Sequence, residues 1–151
     1  MQDSIATMRI ADCMTPFLIT LGKYDSLAQA YEEMTRNRIR RLPVVEGERL
    51  IGIITLSDIL QFKPAEVGRY LSFKELSVTL DDLIVELVMT ADPVVVFQTD
   101  QVGYAAELML EHKVGGLPVL DSSKKLVGLV TESDIFRLLA HQWRSTGSTG
   151  S

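Results

Sequence analysis

Cysteine is nearly missing from this 151-residue chain: Cys13 stands alone. No disulfide can close within it, and a lone thiol fits a reducing, cytoplasmic setting. Histidine is scarce too. His112 and His141 are the only two, and neither stands at a metal-ligand spacing from Cys13 or from the other, so no metal site is expected. No apolar run approaches the roughly 18–20 residues that span a bilayer. The opening MQDSIATMRIAD lacks the charged and apolar regions of a signal peptide. Neither membrane insertion nor secretion is therefore expected. Excess positive charge is also lacking: 15 Lys and Arg against 20 Asp and Glu leave a net charge of −5. Such a chain has no general attraction for nucleic acid or anionic lipid. Finally, there is no Ser-His-Asp or Cys-His arrangement, no P-loop and no GxGxxG fingerprint. The expectation is a protein that is not an enzyme and requires no cofactor.

What is present is repetition. Hydrophobic residues make up 46% of the chain and charged residues 23%, the range of a globular protein. The length suits one domain or two small halves sharing a core. Met14-Thr15 recurs 75 residues later as Met89-Thr90, and Asp25, Ala30 and Met34 recur at the same offset as Asp100, Ala105 and Met109. Leu42-Pro43-Val44 returns as Leu117-Pro118-Val119. After one inserted residue, LIGIITLSDIL (50–60) matches LVGLVTESDIF (126–136). An ordered series of this kind marks two copies of one unit. We place them at 9–62 and 84–141, joined by a linker at 63–83. The end of the chain, 142–151, closes on RSTGSTGS and reads as a disordered tail or an expression scar.

Each copy predicts the same elements. FLITL (17–21) and VVVF (94–97) are apolar and rich in β-branched residues, hence strands. Asp25 and Asp100 stand as N-caps before helices whose apolar positions are Leu27, Ala30, Tyr31 and Met34, or Val102, Ala105, Ala106 and Met109. LPVVE (42–46) and LPVLD (117–121) predict strands, as do LIGIIT and LVGLVT, and a last helix begins near Ser57 or Ser133. The pattern is β-α-β-β-α. A three-stranded sheet with two helices leaves an apolar face uncovered, so two copies are expected to cover it on each other as a pseudo-two-fold pair.

These features resemble a CBS (cystathionine β-synthase) domain pair, also called a Bateman module. The likeness rests on the Met-Thr entry, the segment ending in Leu-Pro-Val, and the block Gly-h-h-Thr-x-x-Asp (h, apolar). That block reads GIITLSD (52–58) and GLVTESD (128–134), and the likeness covers nearly the whole chain outside the linker and tail. It implies an α/β fold of tandem repeats. It also implies a regulatory module that senses AMP, ADP, ATP or a related adenosyl ligand, such as S-adenosylmethionine or a dinucleotide, in clefts between the repeats. A homodimer and an unidentified regulated partner follow from the same resemblance. Within the family pattern, Asp134 and Thr131 would share one site with Arg40 and Arg41. Asp58 and Thr55 would share the other with Gly115 and Gly116, and Ile19 and Val94 would flank the base.

The residues fit those roles chemically. A vicinal diol offers two donors and a carboxylate two acceptor oxygens. A guanidinium can fork onto a phosphate, which suits Arg40 or Arg41. Gly115-Gly116 lets the backbone approach a flat base. The contrast predicts unequal sites, with the Asp134 site favouring a phosphorylated ligand. Each feature also has a plainer reading. Thr55-x-x-Asp58 and Thr131-x-x-Asp134 fit a capping box that needs no ligand. The arginines of RNRIRR (36–41) lie near a helix C-terminus, where cations are favoured. Gly115-Gly116 fits a plain turn. Cys13 aligns with Val88 and reads as packing rather than a nucleophile. The alternative function is a structural or dimerisation module whose clefts stay empty.

Overall fold

The computed structural model describes residues 4–16, 19–62 and 80–147. Both copies form the expected elements, with shorter first strands. In the first copy these are β1 (Leu21–Gly22), α1 (Leu27–Asn37), β2 (Arg41–Glu46), β3 (Arg49–Thr55) and α2 (Leu56–Gln61). A two-residue strand β4 (Thr90–Ala91) precedes the second set, which comprises β5 (Val96–Phe97), α3 (Val102–His112), β6 (Gly116–Leu120), β7 (Leu126–Thr131) and α4 (Glu132–Gly147). Of the strand expected at 17–21, Phe17 and Leu18 lie outside the described residues, as does most of the linker (63–79). Residues 142–147 are helical rather than a loose tail. There Ser145 and Thr146 return their hydroxyls to the carbonyls of His141 and Gln142 one turn earlier, the back-bond by which such residues are accommodated on a helix.

The first helices begin differently from the sequence expectation. Ser26 caps α1, its hydroxyl accepting from the Gln29 N–H, while α3 starts at Gln101 with no side-chain cap. Asp25 and Asp100 act one turn earlier: their carboxylates accept from the N–H of Gly22 and of Phe97 and so close the bend between strand and helix. Both helices end on a non-glycine residue in the left-handed conformation, Arg38 and Lys113, each at φ 55°. That geometry is unfavourable for an L-residue. It is offset by the N–H bonds that Arg38 and Ile39 donate to Met34, and Lys113 and Val114 to Met109. The turn delivers the chain into β2 or β6.

The chain divides into two compact units, and these are not the two sequence copies. One unit runs from Ile19 to Pro93; the other combines the leading segment with the chain from Val94 onward. In the first unit the sheet order is β1-β2-β3-β4, with β1 parallel to β2 and the remaining pairs antiparallel. In the second it is β5-β6-β7, with the same senses, and Thr15 bridges Leu129 where β4 would lie. Each copy's Met-Thr segment has thus joined the sheet of the other copy.

The exchange follows one rule in both places. Val85 donates its N–H to Asp25 and is fully buried among Leu27, Ala30, Met34, Leu42, Val44 and Ile54. Its counterpart Ile10 donates to Asp100 and is fully buried with Val102, Ala105, Met109, Leu117, Val119 and Val130. Burying such side chains stabilises each unit by about 1.5–3 kcal/mol per residue. Close approach needs glycine at the crossing. A Cβ on Gly52 would lie 2.5 Å from Met89 Sδ, and one on Gly128 would lie 2.8 Å from the Thr15 carbonyl oxygen.

Candidate functional site

In the unit around the first copy, the strand-to-helix turn after β3 gathers four of the expected residues. Arg41 pairs with Thr55 across the β2–β3 ladder, and the Leu56 N–H donates to the Arg40 carbonyl at 2.7 Å. Thr55 caps α2. Its N–H donates to Asp58 Oδ2 at 2.9 Å, and the Asp58 N–H donates to Thr55 Oγ1 at 3.0 Å. The capping-box reading therefore holds. It uses one carboxylate oxygen; among the described residues nothing donates to the other. Asp58 is half-buried. Ile19 packs at the edge of this unit's core.

The unit around the second copy repeats that turn. Gly116 pairs with Thr131, and the Glu132 N–H donates to the Gly115 carbonyl at 3.0 Å. The Thr131 N–H donates to Asp134 Oδ2 at 2.9 Å, and the Asp134 N–H to Thr131 Oγ1 at 3.2 Å. Val94 packs at the edge of this core. Asp134 differs in its other oxygen. Oδ1 accepts from Arg137 Nη1 at 2.7 Å and from the Thr15 hydroxyl at 3.3 Å. Asp134 is only 4% exposed, and a carboxylate so enclosed needs this full set of donors.

The structure thus joins each Thr-x-x-Asp block to the pre-strand segment of its own copy. Thr131 and Asp134 lie in one unit and Arg40 and Arg41 in the other; the same separation holds for Thr55 and Asp58 against Gly115 and Gly116. Sequence reasoning missed Thr15 and Arg137. The signal for Arg137 was its i+3 spacing from Asp134 on a helix; the corresponding residue of the first copy is Gln61.

Burial raises the Cys13 thiol to about 11, with the negative charges of Asp134 and Asp12 adding to the shift, so it stays protonated at neutral pH. His112 and His141 are exposed on helices. Among the described residues no three His, Cys, Asp or Glu cluster as metal ligands, and no helix is long and apolar enough to cross a membrane.

Comparison with known proteins adds the following. The model of the CBS domain family matches residues 10–64 and 80–141. An uncharacterised 33.4 kDa protein from the ribosomal RNA operon of Thermofilum pendens is 35% identical over 134 residues, which are 87% of this chain and 44% of that one. The chain spans less than half the length of this and the next curated relatives it matches. Among solved structures, CBSX2 in complex with AMP superposes with a TM-score of 0.73 at 27% identity, covering 88% of this chain and 97% of that one. The CBS domain pair of protein MJ0100, in complex with 5′-methylthioadenosine and S-adenosyl-L-methionine, gives 0.73 at 25% identity, covering 90% and 98%.

Proposed function

The chain belongs to the CBS-domain family, and from that premise we propose that it is a regulatory module that binds an adenosyl ligand and is not itself an enzyme. The observation that carries this reading is the Asp58 carboxylate. One oxygen is fixed by the Thr55 N–H, and the other has no donor among the described residues. A carboxylate held in place with an open oxygen is ready to accept from a ribose hydroxyl. Solved relatives that superpose on nearly the whole chain hold AMP, or 5′-methylthioadenosine and S-adenosyl-L-methionine.

In this reading Asp58 and Thr55 act with the backbone of Gly115 and Gly116. Asp134 and Thr131 act with Arg40 and Arg41, which receive phosphate, and Ile19 and Val94 flank the bases. AMP, ADP and ATP are the first ligands to test. S-adenosylmethionine and a dinucleotide come next. The ligand favours one arrangement of the two copies, and a partner protein reads that arrangement. The working assembly is a homodimer in the cytoplasm.

Isothermal titration of the whole chain with these ligands tests the reading. Asp58→Asn keeps an acceptor for the Thr55 N–H but loses the charge. It should weaken binding at that site roughly tenfold, the scale of a charge-assisted hydrogen bond. If no adenosyl ligand binds the wild type, the sensor reading fails. The competing reading, an assembly module with empty clefts, then stands, and the enclosure of Asp134 is the observation that favours it.

A further inference from the structure

The two acidic residues differ by one cation. An ionised carboxylate has about four acceptor positions on its two oxygens. At Asp134 three donors already occupy it: the Thr131 N–H, the Thr15 hydroxyl and Arg137 Nη1. Its side chain is 3% exposed, so one donor must leave before a ribose diol can take both acceptors it needs. Two of the three belong to the fold. The Thr131 N–H is half of the capping box, and Thr15 belongs to the exchanged segment bridged to Leu129. Arg137 is different. Its side chain is 73% exposed, the pair is i to i+3 along the first turns of α4, and it can swing into water without moving the backbone. At Asp58 the corresponding residue is Gln61, with no charge and no bond to the carboxylate among the described residues.

We propose that Arg137 is a ligand-displaceable gate on the Asp134 carboxylate, and that it makes this site select adenosyl ligands bearing an anionic group, such as a 5′-phosphate, over uncharged ones. The inference rests on the sensor reading and names the regulation of one of its two sites. A neutral nucleoside that takes Asp134 Oδ1 strands the guanidinium beside the site with no anion. A phosphate on the same ligand accepts that guanidinium in a forked pair, so the cation changes partner instead of losing one. The gate opposes every ligand and is compensated only by anionic ones. The Asp58 site, which lacks it, discriminates less.

The test uses the whole chain carrying Asp58→Asn, so that titration reports chiefly the Asp134 site. AMP and adenosine are titrated with and without Arg137→Gln, which copies the residue of the first repeat. Removing the gate should tighten adenosine about threefold or more and lower the AMP-to-adenosine affinity ratio roughly tenfold, the scale of one charge-assisted pair. Arg137→Lys should retain most of the preference, because its charge still meets the phosphate, and Arg137→Met, which also removes the charge, keeps the test available if the glutamine variant does not fold. An affinity ratio that stays within twofold of the parent when the charge is removed overturns the gate while leaving the sensor reading intact. Absence of adenosyl binding in the unmodified chain overturns both, and so separates the two failures.

Discussion

Asp58 and Asp134 occupy the same position of the same capping box, yet among the described residues only Asp134 is drawn into a wider network. The bonds to Thr55 and to Thr131 are near copies. The difference comes from two residues outside the motif, Thr15 and Arg137. A repeated motif can therefore leave one carboxylate oxygen without a donor among the described residues while its counterpart is enclosed by further donors. The motif fixes where the acid stands, and its neighbours fix what it can still accept.

The cores invite the same comparison, and the largest expected effect lies there. Ile10 and Val85 fill equivalent positions, each buried in the unit built on the other copy. Ile10→Ala should cost about 2–5 kcal/mol, the range for truncating a buried isoleucine, and Val85→Ala less because fewer methyl groups are lost. Denaturant melts with hydrogen exchange should show protection falling first in β7 for Ile10→Ala and in β3 for Val85→Ala. Loss in the opposite strands would break the assignment of exchanged segments.

The glycine crossings come next. At Gly128 an added methyl meets the Thr15 carbonyl at 2.8 Å, with Met14 Sδ at 2.9 Å. At Gly52 the closest atom is Met89 Sδ, the mobile part of a side chain, and the Thr90 carbonyl is at 3.0 Å. Gly128→Ala should therefore cost more than Gly52→Ala, about 1–3 kcal/mol by the scale of overpacking. Thermal melts of the two variants decide it, and equal losses would show that the sulfur and the backbone yield alike.

The smallest effect belongs to Cys13, which has Val88 as its counterpart. Its thiol is raised to about 11 from an ordinary 9.0. Between those values the folded chain holds a proton that the unfolded chain releases, so this contribution is intact below about pH 9 and is lost as pH climbs toward 11. Cys13→Val should flatten that alkaline decline slightly. An unchanged pH profile would remove the thiol from the comparison.

Much of the architecture was legible in the residues. The 75-residue recurrence, the strand-forming Leu-Pro-Val runs and the helical spacing of Leu27, Ala30 and Met34 all led to elements that the structure contains. The exchange of leading segments was not. Ile10–Met14 and Val85–Met89 carry equivalent patterns, so either could complete either sheet, and local sequence holds no term that selects the partner. Asp25 misled as a cap because Ser26, one residue on, reaches the Gln29 N–H, while the Asp25 carboxylate serves the turn. At the site, the Thr-x-x-Asp spacing disclosed the cap. Arg137 stayed hidden because an exposed helix arginine ordinarily reads as solvated; only the depth of Asp134 makes its bond consequential.

The crossed connections also set a timetable for synthesis. The unit from Ile19 to Pro93 is continuous and can close as soon as its last strand leaves the ribosome. The other cannot. Residues 10–15 emerge some 110 residues before β7, which they must join. At translation rates of about 5–20 residues per second, that leaves Ile10 without its pocket for roughly 5–20 s. During that interval a nascent chain carries Ile10 and its neighbours with no home, and a chaperone or a neighbouring nascent copy has its clearest opportunity to capture them.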